Sequence, residues 1–176
     1  MQVRQATVAD GEAVRTVALA AFAEAEARVV SQVAVSLLAE ESSPPILTLV
    51  AEVHGAVVGF VSYSPLISAD TGGVVAAVLA PLAVHPEHQK QGIARQLIEQ
   101  GCDEVSHRGV DVLLVYGDPA FYGRFGFTHE HATPYVPPYP LTMPEGWQAL
   151  VLPGGTAATT PVCVECARSL CDASLW

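Results

Sequence analysis

Positive charge is what this chain has least of. Seven arginines and a single lysine, Lys90, stand against eighteen acidic residues, for a formal net charge of −10. Binding to nucleic acid requires a basic footprint along one face, so general DNA or RNA binding is excluded. Cysteine is also sparse. Cys102, Cys163, Cys166 and Cys171 are too few and too unevenly spaced for a disulfide framework. Cys163-x-x-Cys166 with Cys171, and His129 or His131 nearby, lacks the second knuckle or close histidine pair of a structural zinc site. These cysteines are expected to be buried thiols, and no metal is expected. Long apolar runs are missing too: the longest, Val74 to Val84, is broken by Pro81 and is too short to span a bilayer. The segment Met1–Thr7 has no apolar signal-peptide core, so a cytoplasmic protein without membrane attachment is the expectation. No internal repeat is visible.

What is present is enough apolar sequence for a core. Of 176 residues 51% are hydrophobic, which fits one domain, 1–176, whose last 25 or so residues carry little pattern. A strand starts at Val3. Thr7–Asp10 has the form of a capping box, and Val14, Val17, Ala18, Ala21 and Phe22 then repeat at helical spacing. A second helix is predicted over Ser31–Glu40, ended by Ser42-Ser43-Pro44-Pro45. Ile46–Val53 and Ala56–Tyr63 form a hairpin around His54-Gly55, and Val74–Val84 a long strand with a bulge or unpaired edge near Pro81. A helix from Gln91 places Ile93, Leu97, Ile98, Cys102 and Val105 on one face and ends at Gly109. A strand over Val110–Val115 and a short helix over Pro119–Phe125, capped by Asp118, follow. Thr128–Gly146, with five prolines, two tyrosines and two histidines, is expected to be an irregular loop. Trp147–Leu152 is a strand.

The chemistry concentrates between the long strand and the third helix. Gln89-Lys90-Gln91-Gly92-Ile93-Ala94 follows the strand end Leu82-Ala83-Val84 and opens a helix. Glycine there lets the backbone approach a ligand. The first N–H groups of a helix have no intrahelical acceptor and carry the positive end of its dipole, so they form an anion site. Lys90 and Arg95 bring positive charge to this point of an otherwise acidic chain. A Walker-type loop is excluded because no Gly-Lys-Ser/Thr follows, and a Rossmann site because its first glycine is missing.

Gln89-x-x-Gly92-x-Ala94 resembles motif A of the GNAT acyltransferases, and the preceding Pro81-Leu82-Ala83-Val84-His85-Pro86 resembles that family's strand and turn. Gly117-Asp118-Pro119-Ala120-Phe121-Tyr122-Gly123-Arg124-Phe125-Gly126-Phe127 is similar to its later tyrosine element, in the version of the bacterial YhbS-like group. The resemblance covers Val3 to Phe127. It implies an α/β (α+β) fold with a mixed, mostly antiparallel sheet whose strands splay, flanked by helices. It also implies that acetyl-CoA lies along Leu82, Ala83 and Val84, with its pyrophosphate on the loop Gln89, Lys90, Gln91, Gly92, Ile93 and Ala94, and Arg95 adding positive charge one turn further on. Tyr122 then matches the tyrosine that protonates the departing thiolate. A phenol with a reference pKa of about 10 suits that task.

Other roles are less determined. Asp118 reads as a helix cap and as a possible contact to Tyr122 or to a substrate amine. Tyr135 and Tyr139, among restricting prolines, are candidate acceptor contacts. The strand Val74–Val84 has no carboxylate to serve as base, which leaves His85, Glu52, a water chain or an amine arriving neutral. Two functions follow. One is an acetyl-CoA-dependent N-acetyltransferase acting on a primary amine of a small molecule or peptide, as a monomer or homodimer. The other is an acyl-CoA-binding module without turnover.

Overall fold

The computed structural model describes residues 1–176, which divide into two units: 1–63 with 80–103, and 64–79 with 104–176. Each unit is described in turn.

In the first unit β1 (Gln2–Gln5) leads through a 3-10 turn at Val8–Asp10 into α1 (Gly11–Ala21). The expected capping box forms: Asp10 Oδ2 accepts from the Thr7 N–H at 2.7 Å and from its hydroxyl at 3.1 Å. Arg4 grips the same carboxylate with two parallel bonds of 2.9 and 2.8 Å and turns its Nε to Glu52. The Arg4 hydrogen bonds hold the Asp10 carboxyl well below the usual carboxylate range. A carboxyl whose folded pKa lies below its unfolded one stabilises the fold above the unfolded value and loses that contribution as pH falls through the folded one. Asp10→Asn should therefore lower stability by about 1–3 kcal/mol at pH 7. The gap to the wild type should narrow as pH drops below about 4. Urea unfolding at pH 7 and pH 3 measures it, and a gap that stays constant across that range would exclude the linkage.

α2 (Glu24–Ala39) starts seven residues before the predicted Ser31. Its N-cap residue, Ala23, offers no side-chain acceptor, so the sequence carries no start signal there. α1 and α2 bury Val14, Val17, Ala18 and Ala34 against Val50, Phe60 and Ala83. β2 (Leu47–Val53) pairs antiparallel with β1 and with β3 (Ala56–Ser68). The hairpin turn is the one expected. His54 and Gly55 have φ of 51° and 81°, the left-handed pair whose twist matches the flanking strands. β3 runs five residues beyond the predicted Tyr63, through Pro65.

β4 (Val74–Val84) ends in this unit, where the His85 N–H donates to the Val58 carbonyl at 2.8 Å. α3 (Ile93–His107) buries Ile93, Leu97, Ile98 and Val105, as its spacing predicts. Cys102, expected in the core, is only partly buried, and burial pushes its thiol up to about 11. The Tyr63 hydroxyl donates to the Leu97 carbonyl at 3.0 Å, and its ring occupies the side of α3 where Gly101 has no Cβ. A methyl at Gly101 would lie 2.0 Å from that hydroxyl oxygen and 2.1 Å from the ring carbon that bears it. In an open helix, Gly→Ala stabilises by about 1 kcal/mol. Here Tyr63 is 2% exposed and has nowhere to go. Gly101→Ala should instead destabilise by about 1–3 kcal/mol, read as a lower urea midpoint. A raised midpoint would contradict the packing.

In the second unit β4 pairs parallel with β5 (Val112–Tyr116) through Ala77, Val78 and Leu79, and Pro81, which has no N–H to donate, follows shortly. Gly109, at φ 82°, ends α3 as expected, its N–H donating to the Ser106 carbonyl while the Val110 N–H donates to that of Val105. α4 (Pro119–Tyr122) continues into a 3-10 turn at Gly123–Phe125. The segment Thr128–Gly146 is more ordered than the irregular loop expected. It contains α5 (His129–Ala132), capped by the Thr128 hydroxyl, then β6 (Tyr135–Val136) and a 3-10 turn at Pro144–Gly146. β7 (Trp147–Val151) pairs antiparallel with β5. The supposedly patternless end holds β8 (Val162–Glu165), antiparallel to Ile67–Ser68 of β3 and parallel to β6, and two further 3-10 turns. The pairings make a mixed, mostly antiparallel sheet with helices, the fold class the resemblance implied. No helix is long and apolar enough to cross a membrane.

Candidate functional site

The turn after β4 is built to present backbone. Pro86–His88 forms a 3-10 turn, and the Gln89 side chain returns to donate from Nε2 to the Val84 carbonyl at 3.0 Å. The Gln91 Nε2 donates to the Glu87 carbonyl at 3.2 Å. Lys90 and Gly92 both have left-handed backbone, at φ 60° and 83°. The Gln96 N–H donates to the Gly92 carbonyl at 3.1 Å, so α3 is entered from Gly92. The amides of Ile93 and Ala94 belong to the first turn of the helix, at the positive end of its dipole. Nothing lies within 4 Å of where a Gly92 side chain would start. This is an open turn at the positive end of a fifteen-residue helix, a place that suits a phosphate.

The side chains of the loop divide in role. Ala83, Val84 and Ile93 are buried, and Leu82 and Ala94 are half-buried, so what they can offer a ligand is mainly backbone. Lys90 is exposed. Arg95 differs from the expectation of simple local positive charge, because its Nη1 donates to Glu99 at 3.1 Å one turn along the helix.

Tyr122 lies in the second unit at the end of α4. Asp118 acts as the cap predicted for it: its Oδ1 accepts the Ala120 N–H at 2.8 Å, and its carbonyl accepts the Tyr122 N–H at 3.0 Å. Held by that cap, Asp118 serves the backbone under Tyr122. The Tyr122 ring meets Phe121 and Phe127 edge-on, with centroids at 4.9 and 5.8 Å. A side chain at Gly117 would begin 2.5 Å from that ring, so Gly117 is a packing requirement of Tyr122 that reading the sequence missed. The signal was the Gly-Asp-Pro step immediately before α4. Burial pushes the phenol up to about 12, further above neutral pH than an ordinary tyrosine.

Tyr135 is corrected from an acceptor contact to a packing residue. It is 2% exposed, its hydroxyl accepts the Ala158 N–H at 3.0 Å, and its carbonyl accepts the Trp147 Nε1–H at 2.8 Å. Tyr139 is partly exposed, with its ring 6.4 Å from that of Trp176. Tyr116 was not singled out, yet its hydroxyl pairs with Thr142 Oγ1 and accepts the Met143 N–H, both at 2.9 Å, bracing the chain beyond Tyr139. Of the base candidates, Glu52 is neutralised by Arg4. His85 turns its Nδ1 to the Glu87 N–H at 3.4 Å, capping its own turn.

Comparison with known proteins agrees with this geometry. Residues 44–129 match an acetyltransferase (GNAT) domain. Over 76 residues the chain is 41% identical to the uncharacterized N-acetyltransferase YhbS of Escherichia coli K12, covering 42% of this chain and 44% of that one. It is 33% identical over 108 residues, 60% of each chain, to the uncharacterized N-acetyltransferase YjhQ of the same strain. The chain thus spans about half the length of the curated relatives it matches. A crystal structure of the GNAT family N-acetyltransferase YhbS from E. coli in complex with CoA superposes with a TM-score of 0.78 at 26% identity, over 96% of this chain and 90% of that one.

Proposed function

We propose that this chain, whose residues 44–129 match a GNAT acetyltransferase domain, is a single-domain N-acetyltransferase that moves an acyl group from acetyl-CoA directly to a primary amine of a small molecule or peptide. A cytoplasmic setting, as monomer or homodimer, belongs to the same proposal. The observation that carries the reading is the open loop at Gly92, where the backbone is left-handed and a helix of fifteen residues begins with the positive end of its dipole facing the loop. The CoA complex of YhbS supports the same ligand class.

When bound, acetyl-CoA supplies the activated acyl group, and no metal is required. The residues of this chain do the rest. The amides from Gln89 to Arg95 hold the pyrophosphate, with Lys90 adding charge. Leu82, Ala83 and Val84 offer a strand edge to the pantetheine arm, and backbone N–H groups at its end polarise the thioester carbonyl. Tyr122, a phenol protonated at neutral pH, gives its proton to the leaving sulfur as the new C–N bond forms. Much of the rate comes from holding the amine against the thioester. With Glu52 tied to Arg4 and His85 to its own turn, the amine arrives neutral or loses its proton through water. Tyr139 and the segment around it contribute to the acceptor pocket.

The test is thiol release from acetyl-CoA against amino acids, polyamines, aminoglycosides and peptide N-termini, alongside calorimetric binding of acetyl-CoA. Amine-dependent thiol release is the expected result. Tight binding with no release for any amine class would favour a binding module, which the presence of Tyr122 at the family's tyrosine position argues against.

A further inference from the structure

Three sulfurs of the second unit take no part in the chemistry above, and two of them touch. Cys166 follows β8, and Cys171 closes the 3-10 turn Arg168–Leu170. Their Sγ atoms are 3.7 Å apart. The Cys171 thiol is folded back over the turn, 3.4 Å from the Ala167 carbonyl and 3.7 Å from that of Cys166. The buried thiols expected from the sequence are not found. Cys171 and Cys163 are exposed and Cys166 is half-buried, so small molecules in solution can reach them.

We propose that Cys166 and Cys171 form a reversible disulfide that clips the turn between them. Bond formation brings the sulfurs from 3.7 Å to about 2.05 Å, a movement that side-chain rotation supplies across a single turn. The oxidant is a small disulfide such as oxidised glutathione. The more exposed Cys171 attacks one of its sulfurs as the thiolate, forming a mixed disulfide and expelling one thiolate. The Cys166 thiolate then attacks the Cys171 sulfur, the intramolecular S–S bond forms, and the second small thiolate leaves. Two electrons pass to the small disulfide, and the two protons lost by the cysteines end on the two released thiols.

The clip has something to hold. Leu170, between the two cysteines, accepts the Trp176 Nε1–H on its carbonyl at 3.1 Å. Trp176 is 6% exposed, stacked on Tyr116 at 6.2 Å between ring centroids and edge-on to Trp147 at 5.8 Å. Asp172 caps the intervening turn through the Ser174 N–H at 2.9 Å. Fixing the turn at Leu170 therefore fixes the seat of Trp176 and, through it, the neighbourhood of Tyr139.

Equilibrating the whole protein with glutathione buffers, then trapping with acid and alkylating, tests the bond without any activity assay. In oxidised buffer the wild-type chain should lose two of its four alkylatable thiols and two hydrogens of mass. Peptide mapping should join Cys166 to Cys171. Cys163→Ser should behave as wild type, and Cys166→Ser and Cys171→Ser should not form the bond. Amide exchange over residues 168–176 should slow about tenfold on oxidation, as expected of a segment whose local opening is restrained. Four alkylatable thiols in oxidised buffer, a persistent mixed disulfide, or a bond to Cys163 would each overturn the pairing. A 166–171 bond with unchanged exchange would overturn the clip. None of these outcomes bears on the acetyltransferase reading, which has its own assay.

Discussion

Gly92→Glu should abolish acetyl-CoA binding, with at least a hundredfold loss of affinity, or about 2.7 kcal/mol or more. Two effects act together. The new carboxylate stands where the phosphates are proposed to sit, at the positive end of α3, and a side chain at φ 83° is strained. The fold should survive, because nothing lies within 4 Å of the new Cβ and the strain is about 1–2 kcal/mol. Gly92→Asn separates the causes, since asparagine tolerates left-handed backbone and adds no charge. It should keep most of the affinity. Calorimetry with acetyl-CoA, beside circular dichroism of each variant, provides both readings. Unchanged affinity in a folded Gly92→Glu protein would remove the loop from the site.

Tyr122→Phe should lower turnover by about 10²-fold or more, within the range of general acid catalysis, with little change in acetyl-CoA affinity. The substitution removes the hydroxyl and leaves the ring against Phe121 and Phe127. A second signature comes from its burial, which raises the phenol to about 12. A group with a raised folded pKa contributes stability in full below its unfolded value and loses it as pH rises toward the folded one. Between about pH 10 and 12, the wild type should therefore lose stability that Tyr122→Phe retains. Steady-state kinetics and alkaline urea titrations read the two effects separately. Wild-type turnover in the phenylalanine variant would end the assignment.

The parts of this chain that could be read in advance are those where one residue decides the local backbone. His54-Gly55, Gly92, Gly109 and Asp118-Pro119 each fix a turn or cap by their own chemistry, and each is where the sequence put it. The parts that could not be read depend on distant partners. α2 starts without a capping side chain at Ala23. β6 is two residues long and β8 four, too short for any period to show, and their pairing with each other makes them strands. Tyr135 looks like a surface aromatic among prolines until Trp147 and Ala158, twelve and twenty-three positions on, take its carbonyl and hydroxyl. The site followed the same rule. The turn at Gly92 and the cap ahead of Tyr122 were legible from motifs, whereas the pairing of Glu52 with Arg4, forty-eight residues away, was not.

The late position of β8 bears on how the chain is made. The hairpin β2–β3 closes over a two-residue turn and is available as soon as residue 68 has been synthesised. The edge of β3 at Ile67 and Ser68 waits for Val164 and Glu165, almost a hundred residues later, and β6 waits for Val162 and Cys163. Until residues 162–165 are in place, then, the chain carries an unpaired strand edge, the kind of surface on which chains stick to one another. The yield of folded protein should accordingly depend on residues 162–165 reaching that edge before another chain does.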